Sequence, residues 1–150
     1  MERIRQADGR VHGVIVACRR ADGRWLLIRR SEHVAAPGKV CFPGGAIEPG
    51  EPQEQAVARE FLEELGVPVT PLCRVWHHAD PDRPLTLWGW YAQLAAVALN
   101  PDPHEVAEIL WMTRAQIASH PDTMPGTTNF LDHVLPHTDP AHDTPVPIDR

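Results

Sequence analysis

Apolar and polar positions along this chain switch between two periods. Residues 11–18 carry the apolar run Val14-Ile15-Val16-Ala17, short and rich in β-branched side chains, which predicts a strand. Ala21-Asp22-Gly23 is a turn signal, and residues 24–28 predict a second strand that forms a hairpin with the first. Residues 31–39 read as a loop. Val40-Cys41-Phe42 predicts a short buried strand, cut off by Pro43-Gly44-Gly45. The period then changes. Gln53–Leu65 contains no breaker. Pro52 suits the first helical position, where a missing N–H costs nothing, and Gly66 suits a left-handed C-cap. At about 100° per residue, Ala58, Phe61, Leu62 and Leu65 share one helix face, and Glu60, Glu63 and Glu64 share the opposite one. Residues 72–77 and 85–99 predict strands, the second long and bent at Gly89, with a loop over residues 77–84 between them. Residues 105–112 predict another strand. Residues 113–119 predict a short helix with Thr113 as N-cap, and residues 127–135 one more. The order β-β-β-α-β-β-β-α-α predicts an α/β fold, a mixed sheet with helices packed on it. One unit over residues 1–136 is expected, followed by a flexible tail, 137–150, rich in Pro, Asp, Thr and His.

Composition narrows the classes. A chain of 150 residues with 43% apolar positions can bury one core without staples. Its net charge of −6 argues against a nucleic-acid polymer as partner, which asks for a basic stripe. It leaves room for a phosphate ligand, provided that cations neutralise the site. Cys18, Cys41 and Cys73 lack metal-ligand spacing, and an odd count points to buried thiols in a reducing compartment. No apolar run follows Met1 as in a signal peptide, and no stretch is long and apolar enough to span a bilayer. A cytoplasmic protein without a membrane partner is the expectation.

The acidic helix face changes the picture. Carboxylates at positions i, i+3 and i+4 repel each other by roughly 0.2–0.5 kcal/mol per pair. A solvated surface would intersperse lysines. The simplest compensation is a divalent cation: Mg²⁺ takes oxygen ligands and commonly binds a few carboxylates together with substrate phosphates. The glycine-rich segment Gly44-Gly45-Ala46-Ile47-Glu48-Pro49-Gly50-Glu51 feeds straight into this helix, and glycine lets backbone approach a ligand closely.

With that loop included, residues 45–67 resemble the signature of the Nudix hydrolase superfamily, MutT-like enzymes among them. The signature is a glycine, five residues, a glutamate, seven residues, then Arg-Glu-apolar-any-Glu-Glu-any-Gly-apolar. Gly45, Glu51, Arg59, Glu60, Phe61, Glu63, Glu64, Gly66 and Val67 fill every position. The resemblance implies an α/β/α sandwich with a mixed sheet. It implies a Mg²⁺-dependent pyrophosphatase, with Mn²⁺ able to stand in, that hydrolyses a nucleoside diphosphate linked to another moiety. Glu60, Glu63, Glu64 and the Gly44 carbonyl would hold metal, and one of the glutamates would serve as base. Arg59 would orient a carboxylate, with Glu51 as its ion-pair partner. A further glutamate outside the signature often joins such sites; Glu105 is preferred over Glu108 here.

The substrate half is read from scattered residues. Arg29 and Arg30 end a strand near the signature and could reach phosphates. Trp88, Trp90 and Trp111 could stack on a base, although aromatics on strands more often fill a core. Asn129 resembles the purine-reading asparagine of MutT-type members, against an alternative in which Thr127 or Thr128 caps a helix and Asn129 faces solvent. His77 and His78 beside Asp80 and Asp82 read as a polar loop rather than a metal site.

A nucleoside triphosphate or modified nucleotide is the preferred substrate, and ADP-ribose or a nucleotide sugar the alternative. A non-catalytic nucleotide sensor is a second class, but such domains usually lose the acidic residues retained here. An isopentenyl diphosphate isomerase, with Cys41 as its cysteine, is discounted because the signature has the hydrolase form. Family members are often dimers, so a homodimer stands as an option.

Overall fold

The computed structural model describes residues 4–138; the tail expected to be flexible falls outside them from residue 139 onward. The elements are β1 (Val11–Ala17), β2 (Trp25–Arg30), β3 (Val40–Cys41), β4 (Gly44–Ala46), α1 (Gln53–Leu65), β5 (Val69–Ala79), β6 (Leu85–Leu94), β7 (Val106–Met112), α2 (Arg114–Ser119) and α3 (Thr127–Val134). His137 closes a 3₁₀ turn after α3. One sheet has the order β4-β1-β6-β5. It is mixed: β1 runs parallel to β6, from Val11 opposite Leu85 to Ala17 opposite Tyr91, and the other pairs are antiparallel. The second sheet, β3-β2-β7, is antiparallel throughout.

Alternation along the strands decides where the cores sit. Val14 and Val16 of β1 and Leu26 and Ile28 of β2 join Val57, Phe61 and Leu65 of α1 in one buried cluster. Their neighbours Ala17, Trp25 and Leu27 join Ile117 of α2 and Phe130, Leu131 and Val134 of α3 in the other. Strands buried on both faces read as continuous apolar runs, as β1 and β2 do. The result is the α/β fold that the element order predicts, in the α/β/α sandwich form that the resemblance implies. Among the described residues no helix is long and apolar enough to cross a membrane.

Several local expectations need correction. The predicted β1–β2 hairpin does not form. β1 is taken on both edges by β4 and β6, so β2 has no edge to pair with and enters the other sheet. What remains of the hairpin is an Arg19–Trp25 bridge and a bond from the Leu26 N–H to the Cys18 carbonyl. The Gly44-Gly45 break is itself a strand, β4. A Cβ on Gly44 would stand 2.0 Å from the Val14 carbonyl oxygen, so only glycine lets the chain lie this close to β1. β5 runs on through the expected loop to Ala79, with His77 and His78 on opposite faces. β6 ends at Leu94 rather than residue 99. Gly89 seats Phe130, whose Cε1 would lie 2.4 Å from an added Cβ; the irregularity is across the ladder, between Arg74 and Trp76.

The helix ends divide in the same way. Gly66 is the left-handed C-cap (φ 73°), its N–H bonded to the Leu62 carbonyl, and Thr113 caps α2 in a reciprocal box with Gln116. Pro52 is the N-cap of α1 rather than its first residue. Neither Thr127 nor Thr128 caps α3. Gly126 does, and the Thr127 hydroxyl donates to the Met124 carbonyl.

Candidate active site

The face that α1 buries is rotated from the one its apolar residues predict. Leu62 is 51% exposed, whereas Glu60 is 1% and Glu64 5% exposed. The cause is β4. Gly45 leaves room that a side chain elsewhere would fill, and Glu60 leans into it, while Glu64 is drawn to the backbone of Gly44. A Cβ on Gly45 would stand 2.1 Å from Glu60 Oε2, so that glycine is the seat of the Glu60 carboxylate. The Gly44 N–H donates to Glu64 Oε1 at 3.3 Å. Glu63, the third acidic residue of the helix, is half-exposed, with Oε2 3.5 Å from Arg59 Nη1.

Arg59 ties the loop to the helix. Its Nε and Nη2 donate to the two oxygens of Glu51 at 2.7 and 2.8 Å, a bidentate pair of the strong kind. Nη2 also donates to the Ala46 carbonyl, and Nη1 to Glu60 Oε1 at 2.9 Å. The ion pair holds the Glu51 carboxyl below its usual range. Glu60 and Glu64 go the other way. Burial pushes Glu60 up to about 7 despite Arg59, with Glu63 and Glu105 adding to the rise. Burial, then Glu105 and Glu60, pushes Glu64 up to about 8.

Glu105 therefore stands within electrostatic reach of both buried carboxylates. It sits half-buried at the end of the loop after β6, where its N–H bonds to the Asp102 carbonyl. Glu108, the other candidate, is exposed on β7 and pairs with Arg29 instead.

The remaining predicted substrate residues scatter. Arg29 is engaged within the protein: its guanidinium meets Glu108, the Gly38 carbonyl and Asp122, the last at 2.9 Å. Arg30 donates to the Ala35 carbonyl and reaches Cys41 Sγ at 4.0 Å, and its charge lowers the Glu64 carboxyl. Beside it opens a cleft of about 540 Å³ walled by Arg30, Ser31, His33, Pro37 and Pro103. Trp88 lies under its own neighbours, stacked by His77 and His12 and covered by Arg74. Trp90 bonds to Gln53 at the start of α1, and Trp111 lies beneath Arg20. Asn129 accepts from Trp76 Nε1 at 2.8 Å, a partner no local pattern signals, since the two lie on different elements. Ser31, nearly fully buried beside Glu105, was not among the predicted site residues. Cys18, Cys41 and Cys73 are unpaired, and Cys41 and Cys73 are only half-buried by surface exposure.

Among the described residues, no three His, Cys, Asp or Glu side chains already converge as a metal cage. The donor set nevertheless fits a hard cation. Two buried carboxylates face a third acidic group, and their protein hydrogen bonds come from one guanidinium and one backbone N–H. A divalent ion there would offset a repulsion that the chain leaves standing.

Comparison with known proteins agrees with this fold. The family model of the NUDIX domain matches residues 9–134. The chain is 42% identical over 72 residues to the 8-oxo-dGTP diphosphatase of Escherichia coli, covering 45% of this chain and 54% of that protein. It is 31% identical over 110 residues to the CTP pyrophosphohydrolase of the same organism, 72% of this chain and 80% of the relative. With an NAD-capped RNA hydrolase of Stutzerimonas stutzeri it shares 36% over 89 residues, 59% of this chain and 32% of the other. The match thus spans about half the length of the first of these relatives and about a third of the last. The fold matches the MutT protein of Methanosarcina mazei with a TM-score of 0.72 at 22% identity, over 86% of this chain and 96% of that one.

Proposed function

The chain belongs to the Nudix family, and from that premise we propose that it hydrolyses a nucleoside triphosphate or a modified nucleotide at a phosphoanhydride bond. The observation that carries this reading is the pair of glutamates, Glu60 and Glu64, buried against glycine backbone beside the Arg59–Glu51 clamp. Glu60, Glu64 and the Gly44 carbonyl would hold Mg²⁺ or Mn²⁺, with Glu63 supporting from the solvent side. The ion would supply charge neutralisation for the phosphates and a more acidic water.

The chain's own residues do the rest. Arg59 fixes the Glu60 carboxylate by a charge-assisted bond. Glu105 takes the proton from water as its oxygen bonds to phosphorus and the P–O–P bridge breaks. Arg30, at the mouth of the cleft, offers its guanidinium to phosphate oxygens. Asn129 offers its amide N–H groups to a base edge, its carbonyl being held by Trp76. Trp88 acts behind this surface, bracing the sheet, and Arg29, which also lines the cleft, braces the loop after β2. Two relatives carry names with nucleoside triphosphate substrates, 8-oxo-dGTP and CTP, which supports that class over ADP-ribose or a nucleotide sugar.

The test is a panel of nucleoside triphosphates, 8-oxo-dGTP, ADP-ribose and NAD with Mg²⁺ and with Mn²⁺, with products identified by mass. Release of a nucleoside monophosphate and pyrophosphate from a triphosphate is the expected result. Mononucleotides released from ADP-ribose or NAD alone would move the substrate class. Binding without turnover across the panel would make the protein a sensor.

A further inference from the structure

The loop that carries Glu105 is fastened at both ends. On one side it meets the C-terminus of α1, where helical carbonyls lack intrahelical donors. The Asn100 N–H donates to the Leu65 carbonyl and the Asp102 N–H to the Glu64 carbonyl, both at 2.9 Å. The Asp102 carbonyl in turn accepts from the Glu105 and Val106 N–H groups at 3.0 and 2.8 Å. On the other side stands Ser31, just past the end of β2 and 3% exposed. Its N–H donates to the Glu105 carbonyl at 3.0 Å. Its hydroxyl donates to the His104 carbonyl and accepts from the His33 N–H at 3.2 Å. The His33 and His104 rings stack across the same joint, 4.9 Å apart and 3° from parallel.

A serine in an ordinary connecting loop would have its hydroxyl in water. This one spends every polar atom but its carbonyl on the two residues before β7 and on its own turn. We propose that Ser31 is a positioning residue that holds Glu105 at a fixed distance from Glu60 and Glu64, so that the end of β2 and the end of α1 together set where the third carboxylate stands. The proposal rests on the reading of Glu105 as a member of the acidic site. Removing the hydroxyl leaves the His104 carbonyl without its buried donor and frees that side of the loop.

The test is a double-mutant cycle of Ser31→Ala and Glu105→Gln, read by turnover and by Mn²⁺ binding to the nucleotide-free protein. Ser31→Ala is expected to lower kcat about 10-fold with KM nearly unchanged, a fraction of the ~100-fold that an ångström of misplacement can cost. It is also expected to weaken Mn²⁺ roughly 10-fold, the low end for loss of an outer partner of a metal site. Both losses should shrink below about twofold on the Glu105→Gln background, because a cycle exposes action through a shared residue. Equal losses on both backgrounds, or none on either, would overturn the proposal. So would a harmless Glu105→Gln, which also removes Glu105 from the site. If the wild-type protein turns over no nucleotide while the Mn²⁺ cycle still couples, the hydrolase reading fails and the positioning role stands. Should Ser31→Ala not fold, Ser31→Cys, near in size and a weak donor, goes through the same cycle with the same two outcomes.

Discussion

At the scale of single residues, Glu64 is the sharpest test of the site. Glu64→Gln keeps the shape and can still accept from the Gly44 N–H, but removes the charge. Mg²⁺-dependent turnover should fall by more than the roughly 10–100-fold that loss of an outer metal partner costs, with circular dichroism unchanged. Unchanged turnover would remove the metal assignment. Glu105→Ala should cost more rate than Glu108→Ala, because Glu105 faces the buried carboxylates and Glu108 faces Arg29; the reverse ranking would refute the choice. The pH dependence of stability follows from burial. Folded Glu60 and Glu64 hold protons up to about 7 and 8, against 4.5 for an ordinary glutamate. At these two groups the folded state then binds more protons than the unfolded one, so their contribution to stability is fullest below about 4.5 and is lost as pH rises through 7 and 8. Metal-free protein should melt lower at pH 8 than at pH 5, and Mg²⁺ should raise Tm more at pH 8, where it no longer competes with protons. Melting curves in chelator that do not move with pH would contradict this. The spacing of the glutamates was legible because helical geometry is local. Their burial was not, because a wheel counts every carboxylate as solvent-facing, and what receives these two, the space at Gly45 and the N–H of Gly44, lies on another element.

At the scale of elements, α1 and its glycine stop could be read from sequence because caps and periodicity act within a few residues. The partner of β1 could not, since strand pairing is settled by which edges remain free after distant segments arrive. β4 was hidden for a related reason: Gly-Gly has no strand propensity, and its strand exists because only glycine fits against β1. The two glycines separate in their expected effects. Gly44→Ala drives a methyl into the Val14 backbone, which cannot yield cheaply, and should lower Tm. Gly45→Ala meets the movable end of Glu60, and should lower kcat on the order of 100-fold with a smaller loss of Tm. A pair of variants with equal melting losses would show that Gly45 serves the backbone rather than the Glu60 carboxylate.

At the scale of the whole molecule, each side of the sheets has its own core with one fully buried phenylalanine, Phe61 under α1 and Phe130 under α3. Either one changed to Ala should cost about 3–5 kcal/mol in urea unfolding. The sandwich class was legible because apolar runs buried on both faces have few other homes. Substrate choice was not, because Trp88 and Arg29 turn out to be spent on internal contacts that no spacing foretells. The parallel pairing of β1 with β6 also bears on how the chain is made. β1 leaves the ribosome before β6, yet Ala17 finds its neighbour only when Tyr91 has emerged. At roughly 5–20 residues per second, that is a wait on the order of 4–15 s, during which the valines of β1 are without half their sheet. A nascent chain of this kind has reason to meet a chaperone early, and its yield should depend on the speed of translation as much as on the stability of the finished fold.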